Sequence, residues 1–320
     1  MLFRIATAVC LVGCSVPTFA QQYPARAIRM LIPFPAGSAA DIIARAMEPA
    51  MRERLGQPLV VDNRGGAGGN IAAELTAKSP ADGYTLMMAT IGTHAININL
   101  YSKVNFHPQK DFTPITLVGD SPNALVVHPT VPVKTVKDFI ALAKSRPGVL
   151  NCGHSGAGTT VHLSGELFSV MSGVKLVQVP YKGASESLTA LLSGETDLQF
   201  ASLSSAIPLI QSGRLRALGV TSPRRSPSLP DLPTIAEAAL PGFEAVAWYG
   251  VVGPAHLPSN VVTTIHNTAL ATLARPDVKK RLFSSGVEVR TLGPDEFARY
   301  IASETQRWAK VVKASGARVN

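Results

Sequence analysis

Two glycine-rich turns hold the residues best suited to chemistry in this chain. The first, IPFPAGSAAD, covers residues 32–41, and the second, NCGHSGAGTTVHL, covers residues 151–163. Each follows a strand-like run and leads into a helix-like one. A strand, a glycine-rich turn and a helix start together make an anion site, because unpaired backbone N–H groups and the helix dipole converge there. The chain has 320 residues, enough for two ordinary domains. Two such turns therefore point to one small anion gripped between two lobes, the design of a binding protein rather than an enzyme.

In the first turn the candidates are Phe34, Pro35, Ala36, Gly37 and Ser38, acting mainly through backbone. Gly37 permits close approach, and the prolines stiffen the turn. Ser38 is a natural N-cap, with Asp41 three residues on and Arg45 four beyond that, so a structural role for Asp41 outranks ligand contact. In the second turn Ser155, Gly156, Gly158 and Thr159 offer hydroxyls and amides at a helix start. His162, in the first turn of that helix, is either packing or a donor to the anion. A third strand-end turn, Thr90 to Thr93, brings His94 toward the cleft, and Tyr181 and Lys182 end a fourth strand. Trp248 and Tyr249 are hinge packing or a cleft wall.

Three other motifs fail on inspection. Gly153-His154-Ser155 begins a G-x-S-x-G nucleophile elbow, but the fifth position is Ala157 and no oxyanion motif precedes it. The run Gly65 to Asn70 lacks the third glycine of a dinucleotide fingerprint, since residue 71 is Ile71, and reads as a turn needing positive φ. Seven histidines give neither H-x-x-x-H nor H-E-x-x-H, so neither a metal nor any other cofactor is expected.

The net charge of +9 raises the question of nucleic acid, yet the densest basic groups are only Arg224-Arg225 and Lys279-Lys280-Arg281. A dispersed positive field suits small anions better, and nucleic acid is not an expected partner. The N-terminus reads as a secretory leader, residues 1–20: Arg4, the apolar stretch Ile5 to Val12, and small residues Thr18 and Ala20 before a cut at Gln21. A lipobox-like Leu11 to Cys14 offers the alternative of a lipid anchor at Cys14. Cleavage after Ala20 leaves Cys152 alone, hence no intramolecular disulfide.

Periodicity and stop signals predict alternating elements. Strand Ile28 to Pro33, helix Ala39 to Leu55, strand Leu59 to Val61, helix Ile71 to Lys78 and strand Tyr84 to Ala89 imply a parallel sheet. A short strand Ala124 to Val127 and helix Val136 to Ser145 follow. A second alternating set runs from Leu150 to Thr221, with helices Thr160 to Ser172 and Ala184 to Leu192. A strand Ala245 to Val252 and helices near Ser259 to Ala274 and Pro294 to Ser315 close the chain. The order suggests two α/β lobes, residues 21–121 with 247–320 and residues 122–246, joined by crossings near Ser121 and Val246.

The segments YPARAIRMLIPFPAGSAADIIAR, VVDNRGGAGGNIAAE, NCGHSGAGTTVHLSGELF and VPYKGASESLTALLSGETDLQF, in that order and spacing, resemble the periplasmic solute-binding proteins of tripartite tricarboxylate transporters, the Bug proteins. The likeness spans the whole mature chain. It implies a two-lobed, type II periplasmic-binding-protein fold and a small carboxylate ligand held by backbone amides and ordered water. The implied binding loops are Phe34 to Ser38 and Ser155 to Thr159, and Asp41, Thr90, His162 and Tyr181 match cleft-lining positions. The chain departs from the family's pattern in having Gly37-Ser38 for Gly-Gly, Asn63-Arg64-Gly65 for Asn-Arg-Pro, and Ala201 where an Asp is common, leaving Ser202 as the polar residue there. The expected activity is capture, as a monomer, of a carboxylate for the integral-membrane subunits of the transporter. The alternatives are a receptor feeding a membrane signalling protein and, last, a secreted esterase acting through Ser155.

Overall fold

The computed structural model describes residues 23–156, 159–181 and 183–319. The leader, Cys14, Gly158 and Lys182 lie outside the described residues. The first elements are β1 (Ile28–Ile32), α1 (Ala39–Leu55), β2 (Leu59–Asn63), α2 (Asn70–Ala77) and β3 (Thr85–Thr90). A π-turn (Gly92–Ile96) runs into α3 (Asn97–Leu100), then come β4 (Phe112–Val127) and α4 (Val136–Ser145). The middle of the chain forms β5 (Asn151–His154), α5 (Thr160–Ser172), β6 (Val177–Pro180), α6 (Ala184–Leu192), β7 (Leu198–Ser202), α7 (Leu203–Gln211) and β8 (Arg216–Val220). It ends with α8 (Ile235–Ala238), β9 (Val246–Pro254), α9 (Ser259–Leu273), α10 (Pro276–Ser284), β10 (Glu288–Leu292) and α11 (Pro294–Ser315).

The strands lie in the order β2-β1-β3-β9-β4-β7-β5-β6, with β10 and β8 also pairing β4. β2-β1-β3 are parallel, as are β6-β5-β7. The parallel order expected of the N-terminal unit holds for β1, β2 and β3, but the sheet as a whole is mixed, because β9 runs antiparallel to β3, and β4 antiparallel to β9 and β7. β4 is the strand that joins the two sets. Its residues up to Pro122 pair with β9, while Asn123 to Val127 pair with β7. Val246, the first residue of β9, faces Pro122, and the Ala245 N–H donates to the Thr221 carbonyl at 3.0 Å. The two chain crossings thus lie side by side, at 122/123 and 245/246.

β4 has 16 residues where the sequence suggests a strand of four, Ala124 to Val127. Its first half carries Pro114, Gly119 and Pro122, which read as turn signals. The strand accommodates them with register shifts between Pro114 and Thr116 and between Leu117 and Gly119, where a bulge relieves the missing ladder bond. α10 and β10 are also absent from the sequence-based reading; both are short, and β10 has no fully buried residue. The Gly65 to Asn70 run has positive φ at Gly66, Gly68 and Gly69 (120°, 63° and 92°), which only glycine adopts cheaply.

One core unites both strand sets, with Phe168, Phe200, Phe243, Trp248, Phe297 and Trp308 in it. α11 packs against the π-turn, β4 and α5, so it touches both sets. Among the described residues no helix is long and apolar enough to cross a membrane.

Candidate functional site

The two turns meet at one cavity of about 200 Å³. Phe34 and the first residues of α1, Ala39 and Ala40, form one wall. Thr90, Ile91 and Gly92 at the end of β3 form another. Thr159 and Thr160 close it from the start of α5, with Ala247, Trp248 and Tyr249 of β9 at the crossing. Larger surface depressions exist elsewhere, but among those described this is the one lined by both helix starts.

The local sequence builds the two helix starts alike. Ser38 Oγ accepts from the Asp41 N–H at 3.4 Å, and Thr159 Oγ1 accepts from the His162 N–H at 3.3 Å. Each is an extended residue acting as N-cap. A cap satisfies the N–H of the third residue, which leaves those of the first two, Ala39 and Ala40 in α1 and Thr160 and Val161 in α5, to face the site or solvent. Among the described residues no Lys, Arg, His, Asp or Glu side chain lines the cavity. Two helix starts line it, and each carries the positive end of a helix dipole.

Side chains beneath brace each turn. Asp41 is buried at 3% exposure. Its carboxylate accepts from the Gly37 N–H at 2.9 Å, from Arg45 Nε at 2.9 Å and from Asn63 Nδ2 at 3.0 Å. Asn63 Nδ2 also donates to the Phe34 carbonyl at 3.0 Å. Burial alone would raise the Asp41 pKa, but these bonds and the Arg45 charge outweigh it and hold the carboxyl below the usual range. Its negative charge is therefore spent within the protein. Under the second turn His154 Nδ1 accepts the Gly156 N–H at 3.2 Å, and Thr159 Oγ1 donates to the Gly156 carbonyl at 2.8 Å. Burial, then the neighbouring His162, push His154 down to about 4, so its ring is neutral and Nδ1 can accept.

The structure sorts the sequence candidates. Phe34, Thr90 and Thr159 line the cavity, with Pro35, Ala36, Gly37 and Ser38 adjoining it in the same turn. His162 lies behind the second turn, its ring 4.4 Å from that of His154 and its Nε2 3.5 Å from Glu166. His94 is fully buried; its Nδ1 is 2.9 Å from Thr93 Oγ1 and its ring packs on Phe112. The hydroxyl of Tyr181 donates to Glu195 at 2.8 Å, and Ser202 Oγ lies 3.1 Å from Ser204 Oγ. None of these four lines the cavity. Ser155 and Gly156 are half-exposed in the second turn. The lining residues missed are Ala39, Ala40 and Ala247, whose apolar side chains carry no chemical signal in the sequence. Burial keeps Tyr249 a neutral phenol, its pKa pushed up to about 12.

A family model described as the tripartite tricarboxylate transporter family receptor matches residues 43–317. The chain belongs to that family. Its members are periplasmic binding receptors, not enzymes, which sets aside the esterase reading of Ser155. This receptor is 35% identical to Protein BugT of Bordetella pertussis over 98% of the chain and 96% of BugT. It also resembles R. palustris Rpa4515, solved with adipate, at 39% identity and a TM-score of 0.78, covering 93% of this chain and 100% of that one. MatC from Rhodopseudomonas palustris, solved with bound malate, is 32% identical with a TM-score of 0.73, covering 91% of this chain and 100% of that one. The α/β fold of these structures is the fold of this chain.

Proposed function

We propose that this receptor captures a small dicarboxylate between its two lobes in the periplasm and hands it to the integral-membrane subunits of a tripartite tricarboxylate transporter. The observation that carries the reading is the convergence of the α1 and α5 starts on one cavity that no charged side chain lines among the described residues. Adipate in Rpa4515 and malate in MatC support the ligand class. The lobes are residues 21–121 with 247–320 and residues 122–246, hinged where β4 and β9 cross. Export depends on the leader at residues 1–20, and the receptor works as a monomer.

A carboxylate accepting two amides from each helix start gains roughly 1.5–3 kcal/mol per bond to a charged group, ample for micromolar binding (about 8 kcal/mol) once ordering costs are deducted. Contacts to both lobes exist only when the lobes are closed, so the ligand shifts the receptor toward the closed state. The cavity is smaller than the ~300 Å³ and upward typical of drug-sized ligands, which suits a short acid. A thermal-shift screen of four- to six-carbon dicarboxylates, monocarboxylates and sugars tests the class. A dicarboxylate at about 100 times its Kd should add about 2.7 kcal/mol of stability, several degrees of Tm. A response to sugars with none to any carboxylate would reject the reading.

A further inference from the structure

The two densest basic runs, Arg224-Arg225 and Lys279-Lys280, are more than fifty positions apart in sequence yet line one groove of about 640 Å³. Arg224 and Arg225 come from the loop after β8, and Lys279, Lys280 and Phe283 from α10. All four cations are exposed, and Phe283 shows 47% of its surface. Glu288 is the carboxylate in the lining, half-buried and engaged by the Ser226 hydroxyl; Arg225 is paired with Glu237 at 2.9 Å. A second depression, of about 480 Å³, shares Pro227, Phe283 and Glu288 with the first and continues over Leu203, Ile207 and Pro208. The combined groove is cationic at one end, apolar at the other, with an exposed aromatic ring between.

The groove also straddles the seam between the two strand sets. α10 and β10 belong with β4's first half, while α7 and the loop after β8 follow strands paired to its second half. At the floor, a Cβ on Gly286 would come within 2.4 Å of Ser204 Cβ, and Ser121 Oγ donates to the Gly286 carbonyl at 2.9 Å. Whatever fills the groove touches both sides of the hinge.

We infer that this groove docks an acidic protein segment that carries an apolar anchor residue, its carboxylates on the Arg224–Lys280 end and its anchor against Phe283 and Ile207. Charge complementarity sets the first half of that chemistry, and the apolar continuation sets the second. A concave, half-apolar groove fits a peptide better than a lipid surface, which favours a flat basic face. Because the segment would contact both sides of the hinge, it would bind the closed and open receptor unequally, and by linkage the small ligand would change its affinity by the same factor.

The test uses the mature chain and a fluorescein-labelled peptide with four glutamates followed by Leu-Phe. Docking is read without any small ligand, so its outcome is separate from that of the carboxylate reading. The proposal expects saturable anisotropy, at least tenfold weaker binding to Lys279→Glu/Lys280→Glu, and less than threefold change in the remote control Lys144→Glu/Lys310→Glu. Phe283→Ser, an exposed position that leaves the core intact, should weaken the peptide at least threefold. A glutamine version of the peptide should bind at least tenfold more weakly. Equal binding of the glutamine peptide, equal loss in the control variant, or preference for phosphatidylglycerol vesicles over the peptide with the same variant sensitivity would each overturn the proposal.

Discussion

Asp41 braces the first turn from beneath the cavity, where the proposed site has no need of its charge. It takes the Gly37 N–H, Asn63 and Arg45 together, so it fixes the turn whose backbone faces the cavity. Replacing it with alanine leaves the Gly37 N–H, the Asn63 amide and the half-exposed Arg45 without their shared acceptor, and should cost about 1–3 kcal/mol in urea unfolding. The pH sign follows from the lowered pKa. Asp41's contribution is present above the ordinary carboxylate range and lost as pH falls through its depressed folded value. An Asp41→Ala variant as stable as the parent would mean the network around this carboxylate does nothing for the fold. The structural role of Asp41 was legible in Ser38-x-x-Asp41 and Asp41-x-x-x-Arg45, because capping and ion pairing act over one helical turn. The role of Asn63 was not, since it depends on a strand twenty-two residues away, and His94 misled because a strand end can turn into the core as readily as into a cleft.

At the scale of elements, the proposed site draws its binding groups from two helix starts, and glycine sets their approach. Gly37 has φ of 83° with open space around its missing Cβ, so the penalty of Gly37→Val is backbone strain alone. That strain should move the amides of the turn and raise Kd for a dicarboxylate at least tenfold, about 1.4 kcal/mol, in calorimetry on folded protein. Gly250 of β9 illustrates the opposite case. A Cβ there would lie 2.3 Å from Phe297 Cζ and 2.9 Å from the Thr116 carbonyl, so α11 packs on the sheet where that side chain is missing. Gly250→Ala should cost about 1–3 kcal/mol of stability by overpacking, and an unchanged Tm would refute this account of the α11 contact. Helices α1, α4, α5, α6 and α11 have the bounds the sequence predicts, because amphipathic periodicity and local caps are both written within the segment. β4 was hidden for the converse reason: its bulges place Pro114, Gly119 and Pro122 inside a strand whose stability comes from neighbours far along the chain.

Across the whole molecule, buried titratable groups make stability depend on pH in a definite direction. Burial holds His94 at about 3, and burial with His162 holds His154 at about 4, both below the ordinary histidine value. Between about pH 4 and 6.5 the unfolded chain binds more protons at these two sites, so stability rises with pH. Asp120 opposes them. Burial raises it to about 6 despite Arg290 at 3.0 Å, so its contribution is present at acid pH and is lost as pH rises through about 6. The denaturation midpoint should climb from pH 4.5 to 6.5, and Asp120→Asn should steepen that climb. A flat midpoint over this range would contradict the neutral state of the histidines.

β4 and β9 pair along the middle of the sheet, and each strand set brings one helix start to the same cavity, the arrangement the proposed clamp requires. Lobe closure should reduce the radius of gyration measured by solution X-ray scattering when a ligand is added. The central claim is that amides from two helix starts hold a carboxylate charge. Calorimetric comparison of adipate with its neutral diamide tests it most directly, because shape and length stay nearly constant while the charge disappears. The account predicts micromolar or tighter binding of adipate, or of a shorter dicarboxylate compared in the same way, with the diamide at least a hundredfold weaker. Equal affinity for acid and diamide, or no binding of any dicarboxylate by folded protein, would contradict it.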